Sequence, residues 1–597
     1  MSAPPVTRPA DRIPFLLLTA ATAIYIALRI TLVPWVHDEA RAYQVMVLPR
    51  DYMLLTGPWE VGNHFLQTLM MVAGDALAGA SHWSLRGWSL LAFLLFARYA
   101  WAMGAWVQEP AVRWCLWVAL LLAPFQLDFF GLARGYAWGN TFLLMALFHT
   151  VRFTATGRTG QLLLGLCGLQ GMVYSVLSLL VPALVLGGVL LVSALRRGGD
   201  ERRLAHVLWL VAAGLVPAVP AVLFGLGLSE RGMLYAGSAE GFLAGTVGSL
   251  GEVMFPWHGD LVAYGISGIV LGCAALVGRQ AFTQRRMEGP GVLVAIAIVG
   301  SALGFVALHQ LRGVLFPVDR SALAFVPLAL LTMALAWDQL AAAERTWRHG
   351  AWVLLVLPVG TLFTLNLSRT LLWPEQATPA MFRQLVHDMG RTMDRPVMVG
   401  AQKFLGQTWS LENMRAAEPL NELDVQGFPH DQCDLLLIDT TTYDVPAGFR
   451  VNAAAPGGRN VLMRRDPPLG TRVVLDSSIA GAHRLDEFRT LWQAPVTEWY
   501  GRSAFVETWM DLSTEQPISD TWLVLEVTDT TGAHWWYDAV ELDHVRGRRK
   551  EGTVHLAKRL PPIPRSARGF ALYLYNPRHV EVTMSNARVR IHEVLPM

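Results

Sequence analysis

Residues 15–44 read FLLLTAATAIYIALRITLVPWVHDEARAYQ. The first two-thirds is apolar enough to cross a bilayer as a helix, which needs about 20 such residues. Two adjacent carboxylates, Asp38 and Glu39, then follow where such a helix would surface. They are flanked by His37 and Tyr43, so the stretch poses a membrane rim carrying two acids, a histidine and a tyrosine.

The same apolar character recurs along the first 370 residues. The chain is 53% hydrophobic and 16% charged, with a mean hydropathy of +0.37. A soluble protein carries about 25% charged residues. Apolar segments lie at 14–34, 63–80, 87–107, 111–127, 136–150, 161–195, 205–226, 261–278, 291–309, 321–337 and 349–368. The reading is a polytopic α-helical membrane protein with about 11 transmembrane helices. The 22 tryptophans suit aromatic belts at the two interfaces.

Arginine-rich connections at 8–12, 196–203, 280–286 and 345–348 fall on the cytoplasmic side by the positive-inside rule. Alternation then places 35–62, 227–260, 310–320 and everything after about 369 outside. The first helix reads as a retained, signal-anchor-like span, since no small-residue cleavage pattern follows it. Residues 63–80 either span or lie flat, because Asn63, His64, Gln67 and Asp75 interrupt them. The flat placement requires two crossings within 161–195, with the break at Gly168 and Gly171.

After residue 370 the pattern changes. MDRPVMVG and DLLLIDTT read as buried strands of a small α/β domain at 371–470. Residues 471–597 alternate apolar and polar, as in TWLVLEVTD and GFALYLYN, which is the period of a β-sandwich. Both domains are expected outside the cytoplasm, periplasmic in a bacterial inner-membrane protein.

Charged groups at a membrane interface are costly unless paired or working. A carboxylate can take a proton from a hydroxyl or amine nucleophile, and a neighbour can position the acceptor or hold a cation. Asp38 and Glu39 are therefore catalytic candidates. A second cluster, Asp128, Arg134 and Tyr136 in LDFFGLARGYAWGN, offers an ion-pair brace or a phosphate clamp. A third holds Glu240, Glu252, His258, Asp260, His309, Arg312, Asp319 and Arg320. Its arginines suit a phosphate head group or anionic lipid.

Several classes are excluded or disfavoured. A net charge of +2 without a basic tract gives no nucleic-acid surface. Four scattered cysteines form neither a disulfide framework nor a metal cluster. There is no GxxxxGK[ST] loop for an ATP-driven pump, and no internal repeat of the kind that marks many carriers.

HDEARAY, NHFLQTLMM, LRGWSLLAFLLFARYAW, APFQLDFFGLARGYAWGN and LRGVLFPVDRSALAFVPL occur in an order that resembles GT-C membrane glycosyltransferases, the superfamily that uses polyprenyl-phosphate sugars. The resemblance covers about residues 10–370. It implies Asp38 as base with Glu39 beside it, and substrate binding by His64, Asp128, Arg134, Tyr136, Arg312 and Arg320; His37 and Tyr43 beside the acids and His258 in a later outer loop are further substrate-binding candidates read from the residues themselves. It implies a possible Mg or Mn ion on Asp38 and Asp128, and it favours the flat placement of 63–80. The expected reaction is inverting transfer of a hexose or pentose from the lipid phosphate to an envelope glycan, lipid or protein. The C-terminal region resembles a jelly-roll carbohydrate-binding module, with Trp535, Trp536 and Tyr537 as stacking residues. The competing readings are a flippase for a lipid-linked sugar and a non-catalytic envelope-assembly protein.

Overall fold

The computed structural model describes residues 9–196, 200–254, 260–283, 288–376, 378–457, 459–515, 518, 520–546 and 551–595. The chain divides into two compact units. One holds residues 1–32 and 45–367, the other 33–44 and 368–597.

The first unit is helical. Among the described residues, five helices are long and apolar enough to cross a membrane: Ala10–Leu32, Leu177–Arg196, Glu201–Glu230, Pro290–Arg312 and Phe325–Ala343. A sixth span exists if Pro110–Leu121 and Pro124–Phe130, bent by 50° at their break, count as one. The protein is a multi-pass membrane protein with a large β-rich extramembrane part, but the expected eleven spans are corrected to five or six.

The excess has local causes. Phe65–Ala78 has 14 residues, about 21 Å of helix against a hydrocarbon core of about 30 Å. The last apolar segment keeps only Val356–Thr364 as α-helix, preceded by a 3₁₀ stretch. Segment 111–127 is broken before Pro124, which cannot donate the hydrogen bond that would continue a helix. Tyr136–Thr156 is long enough but carries Asn140, His149 and Arg152.

Segment 161–195 does break, at Val176, where the backbone turns extended between Thr159–Ser175 and the helix that follows. Gly168 and Gly171 lie inside Thr159–Ser175 instead. A Cβ on Gly168 would sit 2.7 Å from the Ala146 backbone nitrogen, and one on Gly171 would meet the Phe142 ring at 2.3 Å. These glycines let two helices approach closely, the usual use of small residues between membrane helices.

Two buried ion pairs pin the first helix, Pro9–Leu32, inside this unit. Near its start Arg113 donates to Asp11 at 2.9 Å. Near its end Arg29 donates to Asp128 at 2.5 Å, with both side chains almost fully buried.

The second unit begins with a four-stranded sheet of β1 (Val399–Ala401), β2 (Leu435–Asp439), β3 (Phe449–Ala454) and β4 (Asn460–Arg465), in the order β1-β2-β4-β3. Only β1 and β2 run parallel. Helices Ala380–Gly390 and Lys403–Arg415 cover it, burying Phe382, Val386, Leu405 and Trp409 against Leu435 and Leu437. A bidentate pair between Arg395 and Asp434, at 2.7 and 2.8 Å, is buried at the start of this fold.

The sandwich comprises β5 (Thr471–Ile479), β6 (His483–Arg484), β7 (Phe488–Pro495), β8 (Ala504–Thr514), β9 (Trp522–Asp529), β10 (His534–Glu541), β11 (Glu551–Leu560), β12 (Ala567–Tyr575) and β13 (Val582–Val594). One sheet is ordered β10-β9-β12-β7 and the other β11-β8-β13-β5, with β6 on β13. Alternate residues such as Leu523, Leu525, Val527, Leu572 and Leu574 fill the space between them, as the two-residue period of strands requires.

Polar contacts fasten this sandwich to the α/β fold. Arg559 of β11 donates to Asp424 at 2.5 Å and to the Gln426 carbonyl. Burial would raise the Asp424 carboxyl, but His430 and Arg559 hold it down at about 2. Nearby, Glu422 accepts from Ser410 at 2.9 Å, and burial pushes its carboxyl up to about 7. Between its ordinary value of 4.5 and about 7, the folded chain keeps a proton that the unfolded chain releases. This contribution therefore lowers stability as pH rises through that window. Thermal unfolding of the detergent-solubilised protein at pH 5 and pH 8 should show it, with Glu422→Gln narrowing the difference. An identical difference in both proteins refutes the assignment.

Candidate functional site

Residues 33–44 belong to the second unit, although they directly follow the first membrane helix. His37–Ala42 forms a short helix whose first turn carries both acids. The Val36 amide donates to the Glu39 carboxylate at 3.2 Å, so Glu39, fully buried, closes its own helix start. That is half of a capping box. The His37 amide donates to Gln376 at 2.8 Å, and its ring Nδ1 to the Phe404 carbonyl at 3.2 Å. Gln44 donates to the Gln407 carbonyl at 3.1 Å. Tyr43 is buried, whereas Asp38 is half-buried. Of the two acids, Asp38 is the less buried.

In the first unit, His64, Arg134 and Tyr136 come together. Arg134 donates to His64 Nε2 at 2.8 Å, and His64 Nδ1 donates to the Ser175 carbonyl at 2.9 Å. Because Nε2 accepts from a guanidinium, the ring carries its proton on Nδ1. Tyr136 packs its ring 4.9 Å from that of His64 and 4.7 Å from Phe129. All three polar residues are buried.

Gly135 makes this packing possible. A Cβ there would lie 2.0 Å from the Ser175 carbonyl oxygen and 2.9 Å from His64. Gly135→Ala should thus dislodge the His64–Ser175 contact and reduce the monodisperse, thermostable fraction after detergent extraction. Gly139→Ala, which would meet only the movable end of Leu179 at 2.6 Å, should be milder. Equal behaviour of the two variants contradicts this account.

Asp128 is committed elsewhere. Its partner is Arg29, which also donates to the Asn366 carbonyl at 2.7 Å and to the Tyr25 hydroxyl at 3.3 Å. Asp128 thus pairs with an arginine that the sequence reading did not single out, and Arg134 bonds to His64 instead. The signal was present: Arg29 is the lone charge within IYIALRITL. A carboxylate so engaged does not fit a divalent cation. Among the described residues, no group of three or more His, Cys, Asp or Glu side chains is arranged to hold a metal.

The third cluster is dispersed. His258 lies outside the described residues. Arg312 is exposed at the end of Pro290–Arg312, which Gly313 terminates at φ +67°. His309 donates to the Val314 carbonyl at 2.8 Å and stacks on Phe316. Arg320 is half-buried in the turn Asp319–Ala322. The Asp319 amide donates to Ser249 at 2.9 Å, and Thr246 donates to the Pro317 carbonyl at 2.7 Å.

Thr246 in turn lines a cavity of about 480 Å³, so the loop before the Arg320 turn is bonded to a residue of its wall. Its lining is apolar, including Phe242, Leu250, Met254, Ile266, Phe325 and Met333.

In the sandwich, Trp535 and Trp536 pack against the hydrophobic core, while Tyr537 is exposed on the outer face. Arg559 lies 5.3 Å over the Trp536 ring.

No family model matches the chain, and no curated protein matches it in sequence. Solved glycosyltransferase structures are similar at low identity. ArnT from Cupriavidus metallidurans bound to undecaprenyl phosphate is 14% identical, with a TM-score of 0.45, covering 76% of this chain and 98% of its own. The archaeal oligosaccharyltransferase AglB from Archaeoglobus fulgidus is 12% identical, with a TM-score of 0.38, covering 67% and 64%. The arabinosyltransferase EmbB from Mycobacterium smegmatis is 12% identical, with a TM-score of 0.36, covering 97% and 64%. Likeness at this level assigns no activity, so the functional argument rests on the side chains.

Proposed function

We propose that the protein is a membrane glycosyltransferase that moves a sugar from a polyprenyl phosphate to an envelope acceptor on the outer face of the cytoplasmic membrane. The observation that carries this reading is the apolar cavity, whose lining residue Thr246 is bonded to the Pro317 carbonyl in the loop that leads to Arg320. Its volume is in the range of ligand pockets. An isoprenoid tail suits a lining of this kind, and a guanidinium beside it suits the phosphate that the tail bears.

In the proposed reaction, an acceptor hydroxyl or amine gives its proton to Asp38. Its electron pair forms the new bond to the anomeric carbon as the bond from that carbon to the phosphate oxygen breaks. The polyprenyl phosphate leaves with its charge held by Arg320. One displacement inverts the anomeric centre. Within the helical unit, Arg134, oriented by His64 and packed beside Tyr136, is a second fixed cation that this reading assigns to the donor. Arg312, at the exposed end of its helix, and Tyr43, just after the short acidic helix, have secondary roles in this reading.

The test is transfer by purified, detergent-solubilised protein from a panel of radiolabelled polyprenyl-phosphate sugars to cell-envelope acceptors. Asp38→Asn should reduce turnover by roughly 10²–10⁴-fold with donor binding retained. Arg320→Ala should instead raise the donor KM by about 10–100-fold, the loss of one charge-assisted contact. Undiminished transfer by Asp38→Asn removes Asp38 as the base. Failure of every lipid donor to bind would favour the assembly-protein reading.

A further inference from the structure

Four arginines from four helices gather at the end of the helical unit that the positive-inside rule makes cytoplasmic. They are Arg98 in His82–Gly104, Arg152 in Tyr136–Thr156, Arg158 at the start of Thr159–Ser175 and Arg202 in Asp200–Trp209. The transfer reading uses none of them.

A polar lock just inside these arginines ties the four helix ends together. His149 Nδ1 lies 2.8 Å from Gln161 Oε1, and its Nε2 lies 3.1 Å from the Tyr99 hydroxyl. An amide oxygen can only accept, so His149 donates from Nδ1 and accepts from Tyr99 at Nε2. Thr159 bonds to His206 Nε2 at 3.3 Å, and the His206 ring packs 5.2 Å from that of Phe153. Each arginine rides on a member of this lock. Arg98 and Arg158 directly precede Tyr99 and Thr159. Arg152 follows His149 by three positions and Arg202 precedes His206 by four, spacings that share a helix face. Arg98 and Arg152 stand near enough for their charges to act on the His149 ring, and Arg202 does so at His206.

Arg98, Arg158 and Arg202 are exposed, and Arg152 is half-buried. Among the described residues, none of the four pairs with a carboxylate, and Glu201, exposed beside Arg202, forms no ion pair. Cations so gathered favour an anion, and the guanidinium fork matches phosphate oxygens two at a time.

The surroundings say which phosphate. Leu94 and Leu91 lie four and seven positions before Arg98 on one helix face, and both are exposed. On the fourth helix Leu204, Leu208 and Trp209 are exposed as well. The span that contains them, Glu201–Glu230, has 30 residues. That is about 45 Å of helix against a hydrocarbon core of about 30 Å. Its charged first turn therefore lies in the head-group layer, with Trp209 at the interfacial depth that tryptophans favour. Arginines set above exposed apolar side chains match a lipid phosphate rather than a soluble one.

From this juxtaposition we propose that Arg98, Arg152, Arg158 and Arg202 bind the phosphate head group of an acidic phospholipid of the cytoplasmic leaflet, its acyl chains lying along Leu94 and Leu91. Arg152 is about 24 Å along its helix from Tyr136. The site thus stands apart from the transfer reaction and does not depend on it.

The test is native mass spectrometry of the full chain in detergent. The probes are dioleoylphosphatidylglycerol, dioleoylphosphatidylcholine as the zwitterionic control, and inorganic phosphate as competitor. Phosphatidylglycerol should bind about tenfold more tightly than phosphatidylcholine, and phosphate should not displace it. Arg98→Gln combined with Arg202→Gln should weaken that binding by about 25-fold, at about fivefold for each arginine near an anionic head group. Arg279→Gln combined with Arg345→Gln, which removes two exposed arginines near other cytoplasmic connections, should leave it unchanged. All four positions are exposed, so equal melting temperatures for intact protein and variants will show that the fold is kept. Asp38→Asn should also bind the lipid normally, which separates failure here from failure of the transfer reading. Equal binding of the two lipids overturns the proposal, and displacement by phosphate overturns it in favour of a soluble anion. Unaltered binding in the first double variant overturns it too, as does equal loss in both, which would reduce the effect to net charge.

Discussion

The buried pair between Arg29 and Asp128 is the constraint from which much of the first unit follows. An arginine within a membrane helix is expensive unless its donors are used. Here the guanidinium serves Asp128, the Asn366 carbonyl and the Tyr25 hydroxyl. One side chain therefore ties the first helix to the short helix Pro124–Phe130 and to the end of the helical unit near residue 366. Removing either partner strands a buried charge, which costs about 3–5 kcal/mol. Pro124 belongs to the same device. Because the helix is bent there by 50°, Asp128 lies in a segment with its own direction rather than in the continuation of Pro110–Leu121.

That commitment distributes the chemistry. With Asp128 engaged by Arg29, a separate polar cluster of the first unit forms around His64, Arg134 and Tyr136, held by the Ser175 carbonyl. The acids of the first loop are organised differently, by backbone and side-chain bonds to residues 376, 404 and 407 of the α/β fold. The sequence that leaves the first membrane helix is thus structurally part of the C-terminal unit. A C-terminal domain with this function is more than an appendage, since it fixes the conformation of the proposed base.

Membrane character and the strand alternation of the sandwich were legible because each is a repeated local pattern. Hydropathy alone overcounted the spans, since apolar residues that pack within a bundle look the same as those that face lipid. Gly168 and Gly171 were read as a break because glycine weakens helices in general; only the neighbouring helix reveals that its close approach requires them. Arg29 and Asp128 are 99 residues apart in sequence, so no local pattern could pair them. In the aromatic run at 535–537, the bulge near the start of the strand turns Trp536 inward beside Val527 and leaves Tyr537 outside, a sorting that strict alternation does not reveal.

Asp38 and Glu39 show how helix geometry separates two acids that look equivalent in a string of letters. Successive side chains on a helix point about 100° apart. With Val36 as the cap, the third helical position is the one that reaches back to the cap amide, and Glu39 occupies it. Its carboxylate is consumed by the helix start and shielded from solvent. Asp38, one position earlier, points away from that amide and stays half-open. Both acids favour the helix N-terminus electrostatically, but Glu39 alone is spent on the cap amide, while Asp38 keeps partial exposure. The buried acid caps the turn, and that fixes the backbone from which its neighbour, the base of the proposed reaction, projects.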